Sequence, residues 1–216
     1  MTHSLHREGT LDSLKRDYVL FTFPAKGYNY RGSAPKVRHL AELGYRSGPV
    51  NMLDSKERRN MYSGITPEEI IDGITVDGTR IYFVFDDPEK VKEVLKKYKE
   101  ADEGISIVVS GLTDQIREIT EAVGITPHTI NLSLGIHGRT DRLPPADFRE
   151  FTTMCGHGVV SPHRVKDILR RVKTGKVTEW EGSLILAEPC VCGFYNPRRS
   201  VELLREKAPL YTVDRW

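Results

Sequence analysis

All three cysteines of this 216-residue chain lie in two short motifs rich in glycine and proline. The first is MCGHG at 154–158 and the second is PCVCG at 189–193. Three thiolates and one imidazole make a complete ligand set for a tetrahedral zinc ion, and three thiolates can also bind an iron–sulfur cluster. The sequence therefore predicts a site for zinc or an iron–sulfur cluster, with these ligands: Cys155, His157, Cys190 and Cys192.

The two cofactors imply different roles for His157. In a zinc site that uses all four ligands, His157 is a ligand and the site is closed and structural. In a cluster held by three cysteines, one iron stays open to substrate and His157 acts as an acid or base. A third alternative needs no metal and uses Cys155 as a nucleophile beside His157. Small buried cysteines without chemistry are the fourth interpretation, and the spacing alone leaves all four open.

The segment MCGH at 154–157 resembles the nucleophile motif of the proline racemase family, whose second cysteine follows a proline as Cys190 follows Pro189. The resemblance implies a catalytic role for Cys155. It covers about five residues and one Pro–Cys pair. The cysteines of that family lie much farther apart, and nothing in the first 150 residues is similar to it, so we assign no membership.

Two further segments, at 110–113 and 133–139, carry groups suited to binding a small anion. Each follows a predicted strand, where open α/β sheets bind ligands, and backbone N–H groups at a helix start can bind a carboxylate or phosphate. We expect four residues to bind the substrate: Ser110, Gly111, Arg139 and Arg142. His137 and His157 are the predicted catalytic side chains.

Hydrophobic patterns predict an α/β fold. Strands are predicted at 17–23, 80–85, 105–109 and 129–134, with helices at 88–100 and 113–123. The last three strands and the two helices alternate, which predicts a mostly parallel or mixed sheet with flanking helices. The almost wholly apolar segment 105–109 predicts a strand buried on both faces.

Beyond residue 146 the pattern becomes helical, with predicted helices at 161–173 and 178–188 and a last helix from residue 197. Both cysteine motifs fall at the boundaries of these helices. We therefore predict an α/β sheet domain at 1–145 and a C-terminal helical subdomain at 146–216.

Composition narrows the class of protein. Hydrophobic residues make up 38% of the chain and charged residues 29%, which is typical of a soluble globular protein. The net charge of +2 argues against a nucleic-acid-binding protein. No apolar run approaches the roughly 20 residues of a membrane span, and the N-terminus lacks the apolar core of a secretory signal. We expect a cytoplasmic protein with reduced thiols.

These observations together predict a metal-dependent lyase or hydrolase that acts on a small anionic metabolite. The alternatives are a binding or accessory module with a structural zinc, and a metal-free enzyme with a cysteine nucleophile. The sequence does not settle the oligomeric state, nor whether His3 and His6 join the site.

Overall fold

The computed structural model describes residues 7–57 and 60–212, so His3 and His6 lie outside the described residues. The helices are α1 (Leu11–Leu14), α2 (Ser33–Tyr45), α3 (Pro67–Asp72), α4 (Pro88–Ala101), α5 (Thr113–Val123), α6 (Ala146–Thr152), α7 (Pro162–Lys173), α8 (Glu179–Ala187) and α9 (Pro197–Lys207). The strands are β1 (Tyr18–Phe23), β2 (Asn51–Asp54), β3 (Ile81–Phe85) and β4 (Ser106–Ser110). Within the described ranges, no helix combines the length and the apolar character needed to cross a membrane.

The four strands form one sheet in the order β2-β3-β1-β4, and every neighbouring pair is antiparallel. Leu20 at the centre of β1 lies opposite Phe83 on one side and Val109 on the other. Two β-α-β units, β1-α2-β2 and β3-α4-β4, are interleaved in this sheet. The result is the split β-α-β, or ferredoxin-like, arrangement.

The predicted α/β class is therefore correct, but the prediction of a mostly parallel or mixed sheet was wrong. The strands joined by α2, which are β1 and β2, do run in the same direction, as do the strands joined by α4, which are β3 and β4. However, β3 lies between β1 and β2, and β1 lies between β3 and β4, so every hydrogen-bonded pair is antiparallel.

Three errors of detail accompany this one. The predicted strand at 129–134 is absent from the sheet, and the segment is irregular and exposed. The short strand β2 was missed, because it has only four residues and lies in a stretch punctuated by glycine and proline. The strand predicted at 105–109 is β4, but it lies at the edge of the sheet and is only half-buried.

Capping motifs in the sequence, TPEE at 66–69 and TEWE at 178–181, predict two helix starts, and the structure has a helix at each. The hydroxyl of Thr66 accepts from the Glu69 backbone N–H, and the Glu69 carboxylate accepts from the Thr66 backbone N–H. The same capping box joins Thr178 and Glu181 at the start of α8. Each box pairs backbone donors that the first helical turn leaves open. Helix α6, by contrast, was not predicted.

The two faces of the sheet are covered by different parts of the chain. Alternate strand residues such as Leu20 and Phe83 face a large core closed by α2 and α4. The intervening residues, such as Phe21 and Val84, face the other way and pack against Phe194 near the C-terminus. The antiparallel sheet is therefore buried on both faces, and the second face is covered by the segment that follows the second cysteine motif.

Helices α6 to α9 share a hydrophobic core of their own, which includes Phe151, Ile168 and Leu204. Cys155 and Cys190 are members of that core. The division of the chain into domains at residues 145 and 146 stays a prediction.

A buried ionic network connects these helices to the start of the sheet. The side chain of Arg199, at the start of α9, has 0% exposure, as has that of Asp17, just before β1. The Arg199 guanidinium donates to the Asp17 carboxylate at 2.7 Å, to the Ser13 hydroxyl at 2.8 Å and to the Glu8 carbonyl at 2.6 Å. A buried arginine with several acceptors is stable only because its charge is matched and its donors are used.

Asp17 has two more partners. The Asn196 amide donates to the Asp17 carboxylate at 3.1 Å and to the Arg16 carbonyl at 2.9 Å, and Arg7 forms an ion pair with Asp17. Burial opposes ionisation of Asp17, but the charges of Arg7 and Arg199 outweigh it and hold the pKa of this carboxyl below its usual value.

Replacement of Arg199 by methionine should destabilise the protein by about 3–5 kcal/mol, because the Asp17 carboxylate would stay buried with only one of its two charged partners. Arg198→Met is the matched control on the same helix, since Arg198 is 60% exposed and pairs with Asp86 at the surface. That change should cost less than about 1 kcal/mol. Urea unfolding followed by circular dichroism measures both, and equal losses would contradict the assignment.

Acid should also weaken the protein through Asp17. Because the folded-state pKa is depressed, the ionised carboxylate contributes its full stabilisation above the ordinary aspartate pKa of 3.8, and this contribution is lost as the pH falls below that value. Unfolding curves of the wild type and Asp17→Asn between neutral pH and pH of about 2.5 test this. The stability advantage of the wild type should shrink toward acid, and a constant advantage would refute it.

Candidate metal centre

Cys155 is placed by a tight turn at the end of α6. A single 3-10 turn, Thr153–Cys155, follows the helix, and Gly156 ends the turn with φ of 74°. The Gly156 backbone N–H donates to the Thr153 carbonyl at 3.0 Å. This left-handed backbone favours glycine, and it turns the chain so that the Cys155 side chain is fully buried in the helical core.

The second motif forms a compact loop between α8 and α9. The Cys190 N–H donates to the Ala187 carbonyl at 2.8 Å, and the Gly193 N–H donates to the Cys190 carbonyl at 3.2 Å. Cys190 is buried and Cys192 is half-buried. Asn196 then caps α9, so the loop is fixed at both ends by a helix terminus.

This loop lies on the second face of the sheet. The Asn51 side chain of β2 donates to the Tyr195 carbonyl at 3.2 Å. The Phe194 ring packs against Phe21 of β1 and Tyr82 of β3, with centroids 6.0 and 5.1 Å apart. The sheet is therefore one wall of the cysteine site.

Gly193 makes this close approach possible. A Cβ atom at this position would overlap the Cβ atom of Leu53 in β2, and Gly193 also has φ of 66°. Any larger residue would have to push the loop away from the sheet.

The loop and the turn bring the three sulfur atoms together. The Sγ atoms of Cys155, Cys190 and Cys192 all lie within 4.8 Å of one another, and those of Cys190 and Cys192 are 3.5 Å apart. In a tetrahedral zinc site with Zn–S bonds of about 2.3 Å, the sulfurs would be about 3.8 Å apart. This three-cysteine group could hold a metal ion.

The close approach of the three sulfur atoms shifts the pKa of each thiol. Hydrogen bonds from Cys190 and then Cys192, together with the backbone N–H groups of His157 and Val159, lower the pKa of the Cys155 thiol. The pKa of Cys190 is raised, mainly by its hydrogen bond to Cys155, and that of Cys192 is raised for the same reason. One thiolate is thus favoured at the expense of its neighbours, and a bound cation would stabilise all three.

His157 meets the site through its backbone rather than its ring. Its N–H is one of the donors to the Cys155 sulfur, while the residue itself is exposed. Within residues 7–57 and 60–212, the clustered ligand atoms are those of the three cysteines and do not include the His157 imidazole. Its predicted roles as fourth ligand or as acid or base stay predictions.

The predicted anion-binding side chains are spread over the surface. His137 is exposed, and its Nε2 atom lies 2.8 Å from the Leu134 carbonyl. Arg139 is exposed and donates to Asp141 at 2.6 and 2.8 Å, and Arg142 is also exposed. The structure does not gather these side chains into one site.

Ser110 and Gly111 lie at the carboxyl end of β4, as expected, but Gly111 has a packing role. A Cβ atom there would lie 2.8 Å from the Tyr18 ring and 3.1 Å from the Ile116 side chain. Ser110 is buried opposite Val19 of β1. Substrate binding by these two residues stays a prediction.

The segment that follows α5 does form part of a cavity, but through residues other than His137, Arg139 and Arg142. A cavity of about 530 Å³ is lined by these residues: Arg7, Glu8, Ser133, Gly135, Ile136, Thr140, Leu143 and Arg149.

Hydrogen bonds link this cavity to the residues that flank the two cysteine motifs. Arg7 donates to the Phe194 carbonyl, two residues beyond Cys192. The Glu8 N–H donates to the Thr153 hydroxyl at 3.0 Å, two residues before Cys155. The Arg149 guanidinium donates to the Glu8 carboxylate at 2.7 Å.

Sequence reasoning missed both the sheet wall and this cavity. Asn51 and Leu53 belong to the strand that was missed, although the polar Asn51 inside the run Val50–Leu53 is a usable signal. No sequence pattern could identify Arg7 and Arg149 as cavity residues, because their neighbours in the fold lie far away along the chain.

Fold and site together define an α/β protein with a group of three cysteines that could bind a metal. Compared with known proteins, the chain matches no family model, no curated protein and no solved structure. The assignment of function therefore rests on the geometry of the site.

The Gly193→Ala substitution should destabilise the protein and weaken metal binding, because the new Cβ atom would overlap Leu53. Gly175→Ala is the matched control, since Gly175 has φ of 68° and nothing within 4 Å of the added atom. The free energy of unfolding of the control should be about 1–2 kcal/mol lower than that of the wild type, from backbone strain alone. Gly193→Ala should lose about 1–3 kcal/mol more from overpacking. Thermal unfolding and zinc titration measure both, and equal losses would contradict the close approach.

Proposed function

We propose that the protein is a metal-dependent enzyme in which Cys155, Cys190 and Cys192 bind one divalent ion, with zinc favoured. The observation that carries the proposal is the three-cysteine group, whose sulfur atoms lie within 4.8 Å of one another at the meeting of two separate motifs. Two of these cysteines are buried, and buried thiolates need a cation to offset the cost of burying their charge.

The number of ligands favours catalysis over a structural site. Structural zinc ions have four protein ligands, whereas catalytic zinc ions keep one position for water or substrate beside three protein ligands. The described part of the chain brings three ligand side chains into this group. A bound zinc ion would supply a Lewis acid and an activated water, which suits a lyase or hydrolase reaction.

The spacing of the sulfurs favours a single ion over an iron–sulfur cluster. In a [4Fe–4S] cluster each thiolate binds a different iron atom, and in a [2Fe–2S] cluster three thiolates are divided between two irons. Some ligands of a cluster therefore lie farther apart than ligands of one ion, whereas all three sulfurs here lie within 4.8 Å of one another. The separation of 3.5 Å between the Cys190 and Cys192 sulfurs fits ligands that share one ion.

The metal-free alternative is less well supported. Reactive cysteines are partly exposed, since the thiolate must reach its substrate. Cys155 has 0% exposure, although its surroundings do favour the thiolate.

The adjacent cavity supports a small anionic substrate. Two arginines, Arg7 and Arg149, line it together with one carboxylate, Glu8. The Nε atom of Arg7 is buried and finds no hydrogen-bond acceptor among the described residues. Such a donor suits a carboxylate or phosphate oxygen of a ligand, and Ile136 and Leu143 provide an apolar part of the wall.

Metal analysis of protein purified without oxygen tests the proposal. The wild type should hold about one zinc ion per chain, because the three thiolates form one mononuclear site. Cys190→Ser should lose the ion, and His157→Ala should keep it, since His157 contacts Cys155 through its backbone. Circular dichroism establishes that each variant is folded.

Cobalt substitution then separates an open site from a closed one. Addition of 2-mercaptoethanol to the cobalt form should shift its visible absorption bands, because a fourth position is free to exchange. Unchanged bands would support a closed structural site instead. Several irons with acid-labile sulfide would overturn the single-ion proposal, and folded reduced protein without metal affinity would overturn the metal site itself.

A further inference from the structure

The segment at 129–136 has the pattern of a strand but lies outside the sheet. Its apolar residues alternate with Thr129, Asn131 and Ser133, which places the apolar side chains on one face of an extended chain. Three of them are far more exposed than is usual for such side chains: Ile130 at 69%, Leu132 at 64% and Leu134 at 85%.

The absence of charge in this region argues against an ordinary solvated loop. No aspartate, glutamate, lysine or arginine occurs in the 17 residues at 122–138, in a chain that is 29% charged. Exposed strands usually carry charged residues that block pairing with other chains. An uncharged segment with an apolar face is expected to be covered in the functional state.

A sheet edge that fits this segment exists in the same chain. β4 is the edge strand next to β1, and Ile107, Val108 and Val109 along it are only half-buried. Ile107 and Val109 face the main core, and Val108 faces the second side of the sheet. A further strand beside β4 would cover all three and could form hydrogen bonds along the outer side of that edge strand.

We propose that the segment at 129–136 adds to the β4 edge of a second copy of this chain, so that two copies exchange strands in a symmetric dimer. Each copy carries both the donor segment and the acceptor edge, which is the condition for a closed two-fold exchange. An anionic lipid surface is a poor occupant, because the segment lacks the lysine and arginine residues that such surfaces attract. The exchange would complete the strand that the sequence predicts after α5. It would move Ser133, Gly135 and Ile136 out of the cavity wall, while Arg7, Glu8 and Arg149 would keep their places there.

Sedimentation velocity over a range of concentrations tests the dimer. The wild type should dimerise with a Kd in the micromolar range or tighter, and Leu132→Asp should weaken this by more than about tenfold, since a charge would enter the apolar face. Leu210→Asp is the matched control, because Leu210 is 69% exposed, close to the 64% of Leu132, but lies after α9 and outside the segment at 129–136. It should dimerise as the wild type does. Unchanged metal content in all three proteins establishes that the substitutions leave the cysteine site intact.

Hydrogen exchange identifies which strands pair. Amides at 129–136 and along β4 should become protected together as the concentration rises. Protection of 129–136 alone would replace this arrangement by pairing between two copies of the segment. A wild type that stays monomeric at about 100 μM, well above a micromolar Kd, would overturn the proposal and leave a different partner as the occupant.

Discussion

The buried pair of Asp17 and Arg199 is the interaction on which the rest of the molecule depends. Asp17 immediately precedes the central strand β1, and Arg199 lies in the first turn of α9, so one ionic contact fixes the C-terminal helices against the start of the sheet. Asn196 contacts the same carboxylate and caps α9. Because Cys192 is only four residues from Asn196, this network also fixes where the second cysteine motif meets the sheet. The three-cysteine group is thus positioned in part by charged side chains that do not belong to it.

The local features of the fold could be predicted from the sequence, and the long-range ones could not. Thr66 and Thr178 identified helix starts because a capping box acts within four residues. The meeting of Cys155 with Cys190 and Cys192 could be expected because thiols and glycine turns at two helix boundaries indicate shared ligands. The order of the strands was different. Whether β3 inserts between β1 and β2 is decided by packing between distant parts of the chain. The hydrophobic periodicity of a single strand carries no information about that packing.

The candidate site shows the same division. Its ligand types can be read from two short motifs, but the surface beneath the second motif belongs to β2, more than 130 residues earlier in the chain. Asn51 and Leu53 meet the loop only because the interleaved sheet presents its second face there. The expected anion-binding residues failed to converge for a related reason. Arg139 has a nearer partner in Asp141, whereas Arg7 and Arg149 reach the cavity through contacts across the fold.

The covering of the second sheet face by Phe194 has a consequence for how the chain folds during synthesis. All four strands are complete by Ser110, so the sheet and its helices α2 and α4 can form while the ribosome is still making the C-terminal half. Until Phe194 emerges, Phe21 and Val84 on the other face have no cover. The nascent chain therefore passes through a stage with a bare apolar sheet, and the same few residues that close it also deliver the last two cysteines. Burial of the sheet and the gathering of the three cysteines are therefore one late event.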